Sequence, residues 1–371
     1  MISEIGIRNF KAFKRLSISV SALNLLAGMN GMGKSTLVQS LLLLRQANSS
    51  LSDGKLPLNG ELVSIGKGSD AFYQYSSEKE IEFYLKNSEG YERRWKFDYY
   101  PERDTLFSKT KSDHNDLNFF SLLDDNFQYL NAERLGPQET YKSSSYHVIQ
   151  RRQIGIHGEF AVHYLNLYGS EKITHTALHH KKARTNLLLH QTEAWMSEIS
   201  PETKLNTTTI PGTDLVLLDL QFGTRSDYTN RFRMANVGFG ISYALPVVVA
   251  LLSAAPGRLI IIENPEAHLH PRGQAEMGRL IACAAEAGAQ IFIETHSDHV
   301  INGIRVAVKQ KLIAQEKVRL FYFERVNEDQ EQYSNVTSIL VDHKGELSNY
   351  PKNFMDEWNN QLFKLLRPDK I

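Results

Sequence analysis

Apolar residues recur with a period of two through the first twenty positions. Ile2, Ile5, Ile7 and Phe10 alternate loosely with polar neighbours, and Leu16, Ile18 and Val20 alternate strictly, so two half-buried strands are predicted. Residues 23–27 form a short apolar run that ends at Gly28. Beyond a Gly-rich loop, residues 36–46 are Leu-rich and free of Gly and Pro, which predicts a buried helix. The Ser/Asp/Gly cluster at 48–54 stops it. From 61 to 100 the pattern is strand-like, clearest in EIEFYL and YERRWKFDYY, and the polar stretch 101–116 reads as a mobile loop or excursion.

Tyr129, Leu130 and Ala132 lead into a turn at Gly136-Pro137. Residues 141–210 are mixed and polar, with helices predicted at 158–167 and 187–199, and a strand returns at 216–220. The last third alternates: helix 241–252, strand 259–262, helix 273–286, strand 291–293, helix 298–309. That order predicts an α/β fold, a mixed or parallel sheet flanked by helices. Residues 318–366 are strand-rich and then helical. The expected division is an N-terminal lobe (1–140), an inserted, largely helical lobe (141–235), a C-terminal lobe (236–310) and a small appendage (311–371).

Lys+Arg and Asp+Glu both number 42, so a histone-like or acidic-tail protein is excluded, although a local basic stripe could still meet DNA. A single cysteine, Cys283, excludes an intramolecular disulfide and a Cys-based zinc site. The longest apolar stretch, 241–255, is interrupted by Ser242, Tyr243, Pro246 and Ser253 and falls short of the ~20 residues of a membrane span. MISEIGIRNF lacks the layout of a secretory signal, so a cytoplasmic protein that meets no membrane is expected.

The strongest chemical signal is Gly28-Met29-Asn30-Gly31-Met32-Gly33-Lys34-Ser35-Thr36, which fits G-x-x-x-x-G-K-[ST] between a predicted strand and a predicted helix. Glycines let the backbone curl with N–H groups inward, at a helix N-terminus that favours anions. Lys34 can reach the β- and γ-phosphates, Ser35 can ligate Mg²⁺, and Thr36 can add a phosphate contact. A nucleoside triphosphate is the expected ligand.

Three further segments follow: Asn236-Val237-Gly238-Phe239-Gly240-Ile241-Ser242, then LIIIENPEAHLHP from Leu259, then FIETHS from Phe292. In order and spacing they resemble the signature motif, Walker B strand with D-loop, and switch histidine of an ABC-type ATPase. IRNFKAFKRL resembles the head domains of the RecF/SMC lineage. ENPEAHLHP and ETHSDH resemble the overcoming-lysogenization-defect type of ATPase and its relatives, many of them in anti-phage systems. The likeness covers most of 1–45 and 230–305, with shorter matches at 58–74 and 129–138. Gly345-Glu346-Leu347, Tyr350-Pro351 and Phe354 are similar to a small domain often appended to such defence-associated ATPases.

The resemblance implies a P-loop NTPase of ABC-ATPase head type, with ATP and Mg²⁺ as ligands. It places Glu263 on the metal beside Ser35. Asn264 stands where relatives carry a Glu that polarises the attacking water, so either Glu266 takes that role or hydrolysis is slow and ATP acts as a clamp. His296 corresponds to the switch histidine at the γ-phosphate. Gly238, Gly240 and Ser242 would complete the site of a second protomer, which implies a homodimer or higher even oligomer. Gln138, Glu133 and Arg134 fall at the Q-loop, and Lys11, Ala12 and Phe13 where the lineage contacts adenine.

Three functions are compatible: an ATPase regulating a separate nuclease or toxin in defence, a DNA-maintenance ATPase binding DNA directly, and a nucleotide-gated scaffold. The histidines 268, 270, 296 and 299, the basic run 179–184, Arg93-Arg94 beside Trp95, and Cys283 all have plain structural readings. No HNH, metal-carboxylate or TOPRIM nuclease motif stands out.

Overall fold

A computed structural model of the chain describes residues 1–108 and 120–366. Strands β1 (Ile2–Phe10), β2 (Phe13–Ser19) and β3 (Leu23–Ala27) lead into helix α1 (Lys34–Gln46) and the short turn α2 (Asn48–Leu51). There follow β4 (Lys55–Pro57), α3 (Gly68–Ala71), β5 (Glu80–Asn87), β6 (Glu92–Asp98), β7 (Thr105–Phe107) and β8 (Phe127–Leu130). The middle of the chain forms β9 (Tyr141–Lys142), α4 (Ala161–Tyr168), α5 (Leu188–Ile199), β10 (Thr203–Thr209), β11 (Leu215–Phe222) and β12 (Phe232–Arg233). The last part is α6 (Phe239–Leu252), β13 (Leu259–Glu263), α7 (Pro271–Glu286), β14 (Gln290–Glu294), α8 (Asp298–Lys309), β15 (Val318–Glu328), β16 (Glu331–Leu340) and α9 (Glu357–Leu366).

The central sheet runs β16-β15-β3-β14-β13-β8. All its neighbours are parallel except the antiparallel edge strand β16. The near-continuous apolar sequences of β3 and β13 follow from burial on both faces. Ile260 and Ile262 of β13 face the core shared with α6, α7 and α8, while Leu259 and Ile261 face the core shared with α1 and β5. A second sheet, β2-β1-β5-β6-β7-β4, is antiparallel and closes over α1. The register pairs Glu263 with Glu294, so two carboxylates end adjacent strands beside the loop that leaves β3. Carboxyl ends of parallel strands are where α/β sheets bind ligands.

Two sequence expectations are revised. Residues 141–235 contain both predicted helices, α4 and α5, but also the antiparallel sheet β10-β11-β12 with β9 paired to β11, so the segment is mixed rather than largely helical. The segment expected as a small appendage is joined to the ATPase sheet, since β15 pairs with β3 near its centre. Of the loop expected at 101–116, residues 105–107 form β7, and 109–116 lie outside the described residues.

Candidate functional site

The loop after β3 curls as its glycines require. Gly28 has φ 139° and Gly33 has φ 103°, a left-handed region that L side chains rarely enter. A Cβ at Gly28 would stand 2.5 Å from the Phe323 carbonyl oxygen, so the adjacent strand also excludes one. Helix α1 starts at Lys34 with no side-chain cap and no acid in its first turn, leaving its N–H groups for an anion. The Lys34 side chain folds back into the nest and donates to the carbonyls of Gly28 (2.8 Å) and Met29 (2.9 Å). Its burial lowers the pKa of the ammonium, which the carboxylate of Glu294 partly opposes. Asn30 and Gly31 crown the loop and are exposed, whereas Thr36 is buried.

The Ser35 hydroxyl donates to Glu294 Oε1 (3.0 Å). Glu294 is only 7% exposed, and among the described residues its Oε2 has no hydrogen-bond partner. Burial, then the neighbouring Glu263, push its carboxyl up to about 7. Glu263 accepts from the Tyr129 hydroxyl (2.9 Å), and burial raises its pKa too. The sequence shows Glu294 only as part of FIETHS, with no role assigned to it. The signal was present: 290–294 is an apolar strand ending in Glu, the same pattern as 259–263. A hydroxyl and two carboxylates, one of them with an unpartnered buried oxygen, form a hard, anionic donor set that fits Mg²⁺.

Asn264 takes a left-handed conformation (φ 45°), its N–H donating to the Glu294 carbonyl (2.8 Å). Two residues on, both carboxylate oxygens of Glu266 are engaged: Oε2 accepts from Thr295 Oγ1 (2.8 Å) and Oε1 from the His296 N–H (2.9 Å). Glu266 therefore ties the turn after β13 to the switch segment after β14. His296 lines a cavity of about 220 Å³ together with Gly28 and Met29. Burial and the charge of Lys34 lower the imidazole pKa, which favours the neutral ring near pH 7.

Arg134 is buried and donates to the carbonyls of Asn131 (3.0 Å), Glu263 (2.8 Å) and Asn264 (2.5 Å), so it clamps the end of β13 rather than facing a phosphate. Burial lowers its pKa to about 10. Gln138 is exposed and bonds locally to Gly136, and Glu133 is exposed as well. The signature segment packs on the turn after β13: the rings of Phe239 and Tyr243 lie 5.6 and 4.5 Å from that of His268. Gly238 is exposed, with open space where a Cβ would sit among the described residues. Gly240 abuts the His268 carbonyl, but Ser242 turns inward, 5% exposed, so its hydroxyl is not offered to a second protomer in this conformation. Lys11 donates to Gln39 (2.8 Å) and shares a cleft with Ala12 and Thr36, while Phe13 is fully buried.

The remaining signals are structural. In the basic run, Lys182 pairs with Glu198 and Arg184 with Glu193, and Arg94 pairs with Glu82 across β5 and β6. Cys283 is buried, which pushes its thiol up to about 11. His270 caps α7, and among the described residues no group of three or more His, Cys, Asp or Glu is arranged for a metal ion. Among them, too, no helix is long and apolar enough to cross a membrane.

Residues 23–302 match the family described as "AAA domain, putative AbiEii toxin, Type IV TA system", and residues 313–365 match a family described as a protein of unknown function (DUF3696). No curated protein matches the chain. Among solved structures, it is similar to an SmcHead bound to the C-winged helix domain of ScpA (TM-score 0.55, 14% identity, covering 92% of this chain and 98% of that one). It is also similar to an Smc head domain with an extended coiled coil bound to the C-terminal domain of ScpA, from Pyrococcus furiosus (TM-score 0.51, 12% identity, 99% of each chain). These likenesses establish the fold, that of an Smc-head P-loop NTPase.

Proposed function

The chain belongs to this AAA-domain family, as a P-loop ATPase of the SMC/RecF lineage, and on that premise we propose that it is a Mg²⁺-dependent ATP hydrolase. In this reading ATP-driven pairing of two heads regulates a separate effector protein, in anti-phage defence. The observation that carries the reading is the convergence of Lys34, Ser35, Glu263, Glu294 and His296 on the loop after β3.

The roles follow from the geometry. Backbone N–H groups of residues 31–36 and the Lys34 ammonium would hold the phosphates. Ser35, Glu263 and Glu294 would hold Mg²⁺, which neutralises charge on the phosphate oxygens. Asn264 carries an amide that takes up no proton, so Glu266 is left as the carboxylate next to His296 and would orient the attacking water. A neutral His296 ring can accept a hydrogen bond from that water or donate one to the γ-phosphate. Because Glu266 is already bonded to Thr295 and His296, the same side chain would report nucleotide state to the switch segment.

Nucleotide binding and steady-state turnover by the wild type, Lys34→Ala and Glu266→Gln test this. Lys34→Ala should lose ATP binding. Glu266→Gln should still bind ATP while turnover falls ~10²-fold, the lower range for a lost acid–base group. Full turnover in Glu266→Gln removes that assignment. The second reading, a nucleotide clamp, is favoured by Asn264 alone, and it predicts tight ATP binding with negligible turnover in the wild type.

A further inference from the structure

The last strands bear directly on the phosphate loop. A Cβ on Gly28 would meet the Phe323 carbonyl, one on Gly31 would stand 3.3 Å from Arg325, and one on Gly33 would stand 2.7 Å from Ser334 Oγ. Arg325 also donates to the Gly31 carbonyl (2.9 Å), and the Ser334 N–H to the Ala12 carbonyl (2.8 Å). Three glycines of the loop thus face one hairpin, β15–β16.

Two cavities border the loop. One contains His296 and Met29 and lies at the γ-phosphate end. The other, about 360 Å³, lies past Gly31 and Thr36, and its walls include Lys11, Tyr73, Tyr75, Arg325 and Tyr333. A triphosphate with its γ end at Lys34 and His296 must leave the loop by the Thr36 end, so its sugar and base enter the second cavity. That volume falls within the ~300–1,000 Å³ of small-molecule sites, and its aromatic walls suit a flat ring system.

We infer that the β15–β16 hairpin forms one wall of the nucleobase-and-ribose cleft, with Tyr333 against the base and Arg325 bracing the loop through Gly31. The inference rests on the nucleotide-binding reading above. It gives residues 318–340, inside the segment matched to a family of unknown function, a part in ligand recognition. Tyr333 is placed for this by its own contacts: its hydroxyl is anchored on Glu328 (3.0 Å) and its ring lies beside the Lys14 ammonium.

Equilibrium titration of the full chain with ATP and with inorganic tripolyphosphate separates base from phosphate recognition. Tyr333→Ala should weaken ATP at least about tenfold, the scale of one lost base–aromatic stack, while tripolyphosphate binding stays within about twofold. Tyr333→Phe should bind ATP like the wild type. Unchanged ATP affinity in Tyr333→Ala, or equal losses for both ligands, overturns the inference. A wild-type chain that binds neither ligand overturns the nucleotide reading beneath it as well. Should Tyr333→Ala not fold, photolabelling of the wild type with 8-azido-ATP decides: label within residues 325–334 supports the wall, and label confined elsewhere overturns it.

Discussion

Glu294 stands between Ser35 and Glu263, and the two carboxylates have unlike surroundings. Glu263 is held by Tyr129, while Glu294 accepts from Ser35 itself and keeps one oxygen unpartnered among the described residues. A buried carboxylate oxygen without a partner is costly unless something supplies one, and a bound cation would do so. Glu294→Gln preserves the shape and removes the charge. It is expected to raise the Mg²⁺ concentration needed for half-maximal nucleotide binding by roughly 10- to 100-fold, the range seen for lost metal-site partners. Titration of a fluorescent nucleotide at varied Mg²⁺ measures this, and an unchanged requirement would remove Glu294 from the ion site. That residue was legible as a strand-end acid but not as a site residue, because nothing in linear order says that β13 and β14 are neighbours in register.

At the scale of elements, β15 is decisive. It lies between β3 and β16, and β3 carries the phosphate loop. A chain ending at residue 317 would expose the edge of β3 and lose the fully buried apolar residues Leu320, Phe321 and Phe323 from the core. Such a truncation should fail to give a cooperative melt by circular dichroism, whereas a detachable appendage would leave one. The α5–α7 contact carries a pH dependence. His180 is buried among Lys182 and Glu198 on one side and Arg272, Glu276 and Arg279 on the other. Burial, then Arg279, lower its pKa. The native ring thus holds fewer protons than the unfolded one just below pH 6.5, so its contribution is present above that value and lost as pH falls through it. In His180→Gln the fall in melting temperature between pH 7 and pH 5.5 should be smaller than in the wild type. An identical slope would show that His180 does not set it.

For the whole molecule, the signature segment and the phosphate loop lie on different parts of one chain, the former against His268 and the latter against the C-terminal hairpin. In the proposed scheme a second copy supplies the segment that the first lacks. On that proposal ATP would drive pairing by binding the closed state more tightly, and moving a population from 1:99 to 99:1 takes about 5.5 kcal/mol of that preference. Glu266→Gln with ATP and Mg²⁺ should sediment at twice the monomer mass, and Lys34→Ala should stay monomeric. A Glu266→Gln chain that binds ATP yet remains monomeric would overturn the paired-head scheme.

Local signals sufficed wherever the physics is local. The period-two pattern located β1 and β2 of the antiparallel sheet, apolar runs located β3, β13 and β14 of the central sheet, and the glycine spacing of 28–36 marked the phosphate loop, because conformational freedom and burial act residue by residue. Tertiary structure alone decided three things: that Glu294 joins Ser35, that Arg134 clamps carbonyls, and that the C-terminal strands complete the nucleotide sheet. Each depends on contacts between segments more than one hundred residues apart, and chain order carries no distance information at that range.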